Sequence, residues 1–216
     1  MTAFTYAFVF GGGRELKLEL TFDADMRLAQ RAEAEWTRLD FHRCSHCPLP
    51  SEVGHCPFAT GLAPFMAGFD GMDSFERAQV MVRSAQRVVV GERAVQHGLA
   101  SLIGLIGATS GCPRLDFFRP MARFHLPFSS EQETLVRAIS MHLLDDWING
   151  RPLALDDLAA GYHAAALVNR TMADRIRAAF RRDAVVNALV SLDAYAQAVP
   201  LVIEDELEEL APLFRR

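Results

Sequence analysis

The chain is predicted to be an α+β protein: small antiparallel β-hairpins at the N-terminal end, packed with a larger helical region. Three observations carry this. Apolar residues alternate with period two in the first 22 residues. Two valine-rich alternating runs sit close together near residues 77–94. From Val95 onward, apolar residues recur with helical spacing and the turn signals are helix caps. The 216 residues are read as a single α+β domain, 1–216. It is β-rich over 1–93, with a cysteine loop at 41–58, and mainly helical over 94–216.

The first hairpin is "TYAFVF", then "GGGR", then "ELKLELTF". Leu16, Leu18, Leu20 and Phe22 share one face of the second strand, and Glu15, Lys17, Glu19 and Thr21 the other. The triple glycine supplies the positive φ angles of a tight turn. A phosphate-binding loop would need a following helix and a Lys-Ser/Thr pair, and neither is present. Asp23 to about Glu35 reads as a helix with Asp23 as N-cap. "WTRLDFH" reads as a short extended stretch entering the cysteine loop. Thr60 to Phe69 reads as a short apolar helix kinked at Pro64. "RAQVMVRS" and "RVVVGERA" form the second hairpin, turning at Ala85-Gln86.

The segment "VQHGLASLIGLIGATSG" is helical despite its glycines, which cost stability and imply close packing against a neighbour; Gly111 is the left-handed cap. Ser130-Glu131-Gln132-Glu133 is a capping box opening a helix that runs to about Ile148. Further helices are expected near 155–181, 184–198 and 200–214, with Pro200 starting the last.

Composition narrows the function classes. Formal net charge is -5 with a sequence pI near 5.8, which argues against a nucleic-acid binder. Lys17 is the only lysine. The longest apolar run, Leu99 to Ala108, is about half of a membrane span. The N-terminus lacks the charged region and cleavage site of a signal peptide. The expected setting is the cytoplasm, without a membrane partner, where thiols stay reduced and clustered cysteines point to metal or catalysis.

The four cysteines are the strongest functional signal. Cys44 and Cys47 form a CxxC knuckle, in which two sulfurs can face one ion; Cys56 lies in the same loop, and Cys112 follows the glycine-rich helix. Three of the four precede proline. At ordinary proline usage, chance gives this roughly once in two thousand trials, so the pattern calls for a cause. Proline fixes the backbone just past a ligand, and iron–sulfur ligand runs often close the same way. The reading is a structural Zn2+ site of Cys44, Cys47, Cys56 and Cys112, with a 4Fe-4S cluster as the alternative. His42, His46 and His55 crowd the loop, and His42 or His55 could replace Cys112; His46 sits inside the knuckle and cannot easily reach the same ion. Four thiolates leave no open position, so such a zinc is a staple and not a Lewis acid.

Other candidates are weaker. Phe117 to Phe128, "FFRPMARFHLPF", is the best pocket candidate: Arg119, Arg123 and His125 could hold an anionic small molecule between phenylalanine walls. His142, Asp145 and Asp146 share a helical face and could bind a second metal with His163 or His125, but read more simply as a polar face. Arg175, Arg177, Arg181 and Arg182 give one helix a basic surface. Glu204, Asp205, Glu206, Glu208 and Glu209 give the last helix an acidic one. Both read as solvated faces that can pair with each other or across a homodimer. No Walker loop, HExxH, G-x-S-x-G or Rossmann fingerprint is present.

The combination "FHRCSHCPL", "HCP", "GLASLIGLIGATSGCP" and "PMARFHLPF" resembles an uncharacterised family of bacterial cytoplasmic proteins with a domain of unknown function. The resemblance covers most of the chain and implies no catalytic residue. Three functions follow from the residues: a metal-stapled binding or regulatory module for an anionic ligand or protein partner; an iron–sulfur redox protein or sensor; and an enzyme with its site near residues 117–128.

Overall fold

The computed structural model describes residues 2–69, 72–180 and 183–215. Strand β1 (Thr2–Phe10) and strand β2 (Glu15–Phe22) form the first hairpin, and Gly12 and Gly13 take φ angles of 76° and 82° in its turn. Helix α1 (Pro57–Met66) follows the cysteine loop. Strands β3 (Arg77–Arg83) and β4 (Val88–Ala94) form the second hairpin. The two hairpins join edge to edge through antiparallel β1–β3 pairing, so one four-stranded sheet runs β2-β1-β3-β4. Phe4, Tyr6, Phe8 and Phe10 of β1 and Val80 and Val82 of β3 fill its inner face.

Helix α2 (Val95–Thr109) lies on that face. Two of its glycines, Gly98 and Gly107, are there for close approach, as expected, whereas Gly104 faces open space. A Cβ on Gly98 would stand 2.6 Å from a ring carbon of Phe8 and 3.2 Å from Val80. Helices α3 (Arg119–Arg123), α4 (Glu131–Ile148), α5 (Asp156–Ala179) and α6 (Ala184–Phe214) complete the molecule. α4 opens on the expected box: Ser130 Oγ accepts from Glu133 N at 3.1 Å, and Ser130 N donates to Glu133 Oε2 at 2.7 Å. α5 and α6 pack along each other, and α6 also crosses α2. One apolar core runs from the sheet through α2 to α5 and α6.

Three expectations are corrected. The helix at 23–35 does not form. Asp23 Oδ1 accepts from the backbone N–H of Asp25 (2.9 Å) and Arg27 (2.8 Å), which makes a turn rather than a helix cap, and Met26 adopts φ 59°. The chain doubles back, with Leu28 bridging Phe22 and its N–H donating to Thr109 O at 3.0 Å. Only Met26 and Leu28 of this stretch are buried, two residues apart, which suits an extended chain. The "WTRLDFH" stretch is a 3-10 turn at Glu35–Thr37 followed by an isolated Arg38–His55 bridge. Finally, Pro200 does not start a helix; α6 runs straight through it. Ala196, Val199 and Ile203 stay buried on both sides of the proline. That continuous burial outweighs the roughly 3 kcal/mol an interior proline costs. The α6 segment Ala184–Ile203 is thereby long and apolar enough, by length and composition, to cross a membrane.

Candidate metal centre and ligand cavity

The structure brings the four cysteines together. Cys44, Cys47, Cys56 and Cys112 all line one cavity of about 20 Å³, closed by Val168, Thr171, Met172 and Arg175 of α5. Local geometry explains how three distant segments meet. Cys47 N donates to Cys44 O at 3.1 Å, which closes the knuckle as a turn. Cys56 N donates to Thr37 O at 2.8 Å, and Cys56 sits at the start of α1 with Pro57 as the first helical residue. Cys112 follows Gly111, whose φ of 83° ends α2. Its N–H donates to Ser110 Oγ at 3.1 Å, and its carbonyl accepts from Leu115 N and Asp116 N, both at 3.0 Å. Arg114 Nε then donates to His46 O at 2.9 Å, tying this turn to the knuckle. All four are free thiols, and Cys112 is the most buried.

Burial pushes the Cys112 thiol up to about 12, with Cys56 and Cys44 adding to it. Burial raises Cys44 as well, reinforced by Cys56, while Thr171 opposes. Among the described residues, no group of three or more His, Cys, Asp or Glu side chains stands in metal-holding geometry. The four sulfurs share a cavity without closing on a point. The donor set nevertheless suits a thiophilic ion: four thiols, no competing carboxylate in the lining, and a buried cation alongside.

That cation is Arg175. It was expected on a solvated basic face and is instead 2% exposed, the largest fully buried side chain. Nη1 donates to Trp36 O at 2.8 Å and Arg38 O at 2.6 Å, and Nη2 donates to His42 O at 3.2 Å. Its Nε has no hydrogen-bond partner among the described residues. Among the described residues no carboxylate forms a salt bridge with it; after burial, the groups whose charge acts on it are Cys56, Cys44, Asp40 and Cys47. Sequence pattern hid it, because on a helix with Arg177 four-square to solvent nothing in the spacing marks Arg175 as turned inward. Arg181, Arg182 and the side chain of Glu204, named with the charged faces, lie outside the described residues.

The histidines are engaged elsewhere and none lines the cysteine cavity. His55 Nδ1 is 2.9 Å from Thr37 Oγ1, and His46 Nε2 is 3.1 Å from Ala164 O. His42 adopts φ 46° and its ring packs against Phe41. His142 is buried against Asp146 and Ala154 O, and Arg151 pairs with both Asp145 and Asp146, so this face is internally satisfied.

The main cavity, about 490 Å³, lies among α2, α3, α4, α5 and α6. The 117–128 segment supplies part of its wall through Phe118, Met121, Ala122, His125, Leu126 and Phe128. The expected clamp of Arg119 and Arg123 does not form there. Arg119 lies beside a second, smaller cavity, 3.2 Å from Asp116, and donates to Asp25 O at 2.9 Å. Arg123 is exposed. The segment is a five-residue helix with a turn at each end, so even spacing does not aim both arginines inward.

His125 does reach the cavity. Its Nε2 stands 2.5 Å from the Tyr6 hydroxyl and 3.4 Å from Ser101 Oγ, and Tyr6 and Ser101 hydroxyls are 3.1 Å apart. Burial, with the Arg137 charge nearby, drives its pKa down to about 3. The ring is therefore neutral at pH 7 and a poor general base. Sequence reading did not single out Tyr6, Ser101, Arg137, Tyr162 or Tyr195, which come from five different elements.

Fold and sites define an α+β protein with a cysteine-lined centre beside a preformed apolar cavity. The chain belongs to the family described as a domain of unknown function, DUF6901, whose model matches residues 4–215. No curated protein sequence and no solved structure matches it.

Proposed function

We propose that this protein is a small-molecule-binding or regulatory module whose fold is stapled by one zinc ion on Cys44, Cys47, Cys56 and Cys112. The observation that carries the reading is the buried Arg175 guanidinium, which lines one cavity with four thiols and, among the described residues, has no carboxylate in salt-bridge contact, Asp40 acting only from further off. A desolvated cation favours anions beside it. Four neutral thiols offer none, whereas four thiolates on Zn2+ carry a net double negative charge. Metal binding would supply the anion and displace the thiol protons. The cavity, about 20 Å³, is also of the size that holds a single small particle, which favours one ion over an iron–sulfur cube.

A zinc with four thiolates is coordinatively closed, so the reading assigns it no chemistry. It joins the loop at 41–58 to the end of α2, beneath α5, and so buttresses the wall of the main cavity, to which Phe58 and Leu115 contribute close to Cys56 and Cys112. The test is metal analysis of protein purified without chelator. One zinc per chain is expected in the wild type, and less than about a tenth of that in Cys47→Ser and Cys112→Ser. Metal-free wild-type protein with all four thiols titratable would overturn it, and a brown protein containing iron would install the cluster instead.

A further inference from the structure

We propose that the main cavity binds an amphipathic monocarboxylate, with its carboxylate on Arg137 and its apolar body against the glycine-bearing face of α2. This rests on the binding half of the reading above and not on its metal half.

The cavity volume of about 490 Å³ falls in the range of sites for drug-sized molecules. Its walls are mostly apolar: Leu105, Leu115, Met121, Leu192 and Ala196 among them. Gly104 opens one side; a Cβ there would meet nothing nearer than Leu192 at 3.9 Å. Three glycine or alanine positions, Ala100, Gly104 and Ala108, let the body of a ligand lie close to the helix backbone.

Two cations line this space, the partly buried Arg137 and the exposed Arg93. Arg137 of α4 lines the cavity and is anchored from the side, with Nη2 donating to Phe124 O at 2.9 Å and Met121 O at 3.3 Å. No carboxylate forms a salt bridge with it among the described residues, and burial lowers its affinity for its own proton. Glu133, its nearest acid by charge, is held in the α4 capping box. Glu131 also lines the cavity, and its backbone carbonyl accepts from Tyr195 OH at 3.2 Å. Arg93, stacked over Phe128 at 5.7 Å, adds a second positive charge to the lining.

The neutral hydrogen-bonding groups of His125, Tyr162 and Tyr195 line the same cavity as Arg137. His125 is fixed by Tyr6 and lies close enough to feel the arginine charge; Tyr162 does too. A mostly apolar pocket with one partly buried, side-anchored guanidinium and the neutral groups of His125, Tyr162 and Tyr195 in the same lining suits a planar monoanion, which a guanidinium can grip with two parallel hydrogen bonds. A phosphate would bring a second charge, for which the described lining offers only the exposed Arg93.

The test uses dodecanoate and dodecanol as probes, by calorimetry on zinc-assayed wild-type protein. Dodecanoate should bind at least ten-fold tighter than dodecanol. Arg137→Gln should remove that preference, and Arg137→Lys should retain part of it. Because Arg137 also holds two loop carbonyls, Gly104→Leu is the second variant. It fills open space on a helix that prefers leucine to glycine, so it should fold and yet bind dodecanoate at least thirty-fold more weakly. Equal binding of acid and alcohol to the wild type, undiminished binding to Gly104→Leu, or no binding of either probe would overturn the proposal. Any of these would leave the zinc stoichiometry, and hence the staple, as measured.

Discussion

Replacing Arg175 with methionine keeps an unbranched side chain of similar reach in a tightly filled site while deleting every donor. Three carbonyls, those of Trp36, Arg38 and His42, lose their partners. A buried acceptor left unpaired costs about 1–3 kcal/mol. Arg38 and His42 are exposed residues whose carbonyls water can partly reclaim, so the low end applies to two of the three. Removing the guanidinium also recovers its own desolvation, which offsets part of the loss. The net expectation is a destabilisation of about 2–4 kcal/mol, read from urea unfolding. Trp36 is the natural reporter, being half-buried against Phe180, whereas Trp147, the other tryptophan, is largely solvated. The same substitution in a Cys47→Ser, Cys112→Ser background separates carbonyl bonding from charge complementarity. If thiolates are the counter-charge, Arg175→Met should cost less there by at least about 1 kcal/mol. An unchanged cost would refute the electrostatic link between Arg175 and the cysteines, and a cost below about 0.5 kcal/mol in the wild-type background would refute its structural role altogether.

Gly98→Ala should destabilise by about 1–2 kcal/mol in thermal or urea unfolding. The overpacking against Phe8 costs about 1–3 kcal/mol, and the gain of up to about 1 kcal/mol in helix propensity does not cover it. Gly111→Ala should cost about 1 kcal/mol, since its φ of 83° strains any side chain, and should also lower zinc retention by disturbing the turn that presents Cys112. His125 carries a pH signature. Its folded pKa, near 3, lies below the ordinary 6.5, so the unfolded chain takes up the proton first. Its contribution is fully present above pH 6.5 and is lost as pH falls toward 3. Urea unfolding from pH 6.5 down to about pH 4 should show up to about 3 kcal/mol more loss in wild type than in His125→Gln, and parallel profiles would contradict the assignment.

Much of the β-region was legible because period-two alternation has a single interpretation when one face is buried. Leu20 and Phe22 face the core as the pattern requires. Capping chemistry was equally readable at Ser130 and Gly111, because each answers a local backbone need. The stretch at 23–35 misled because alanines fit helical spacing while adding little burial, and the Asp23 side chain competed for the backbone. Pro200 misled for the opposite reason: tertiary burial overrode a strong local signal. The cysteine pattern led to Cys112 lying with the loop, 56 residues beyond Cys56, and all four cysteines line one cavity, although among the described residues they form no metal-holding group. Arg175 and Arg137 were illegible. Both lie on helices where neighbouring polar residues face solvent, and only the packing of α5 and α4 decides which arginine points inward.

The strand order also dictates timing. β1 must pair with β3, and the aromatic row of Phe4, Tyr6, Phe8 and Phe10, which Phe69 meets at Phe8, does not gain the cover of α2 until that helix has been made, some 90 residues after the first hairpin. At ordinary elongation rates of roughly 5–20 residues per second, that row waits for about 5–20 seconds with an unpaired strand edge beside it. Synthesis therefore exposes a sticky half-sheet for far longer than a hairpin takes to form.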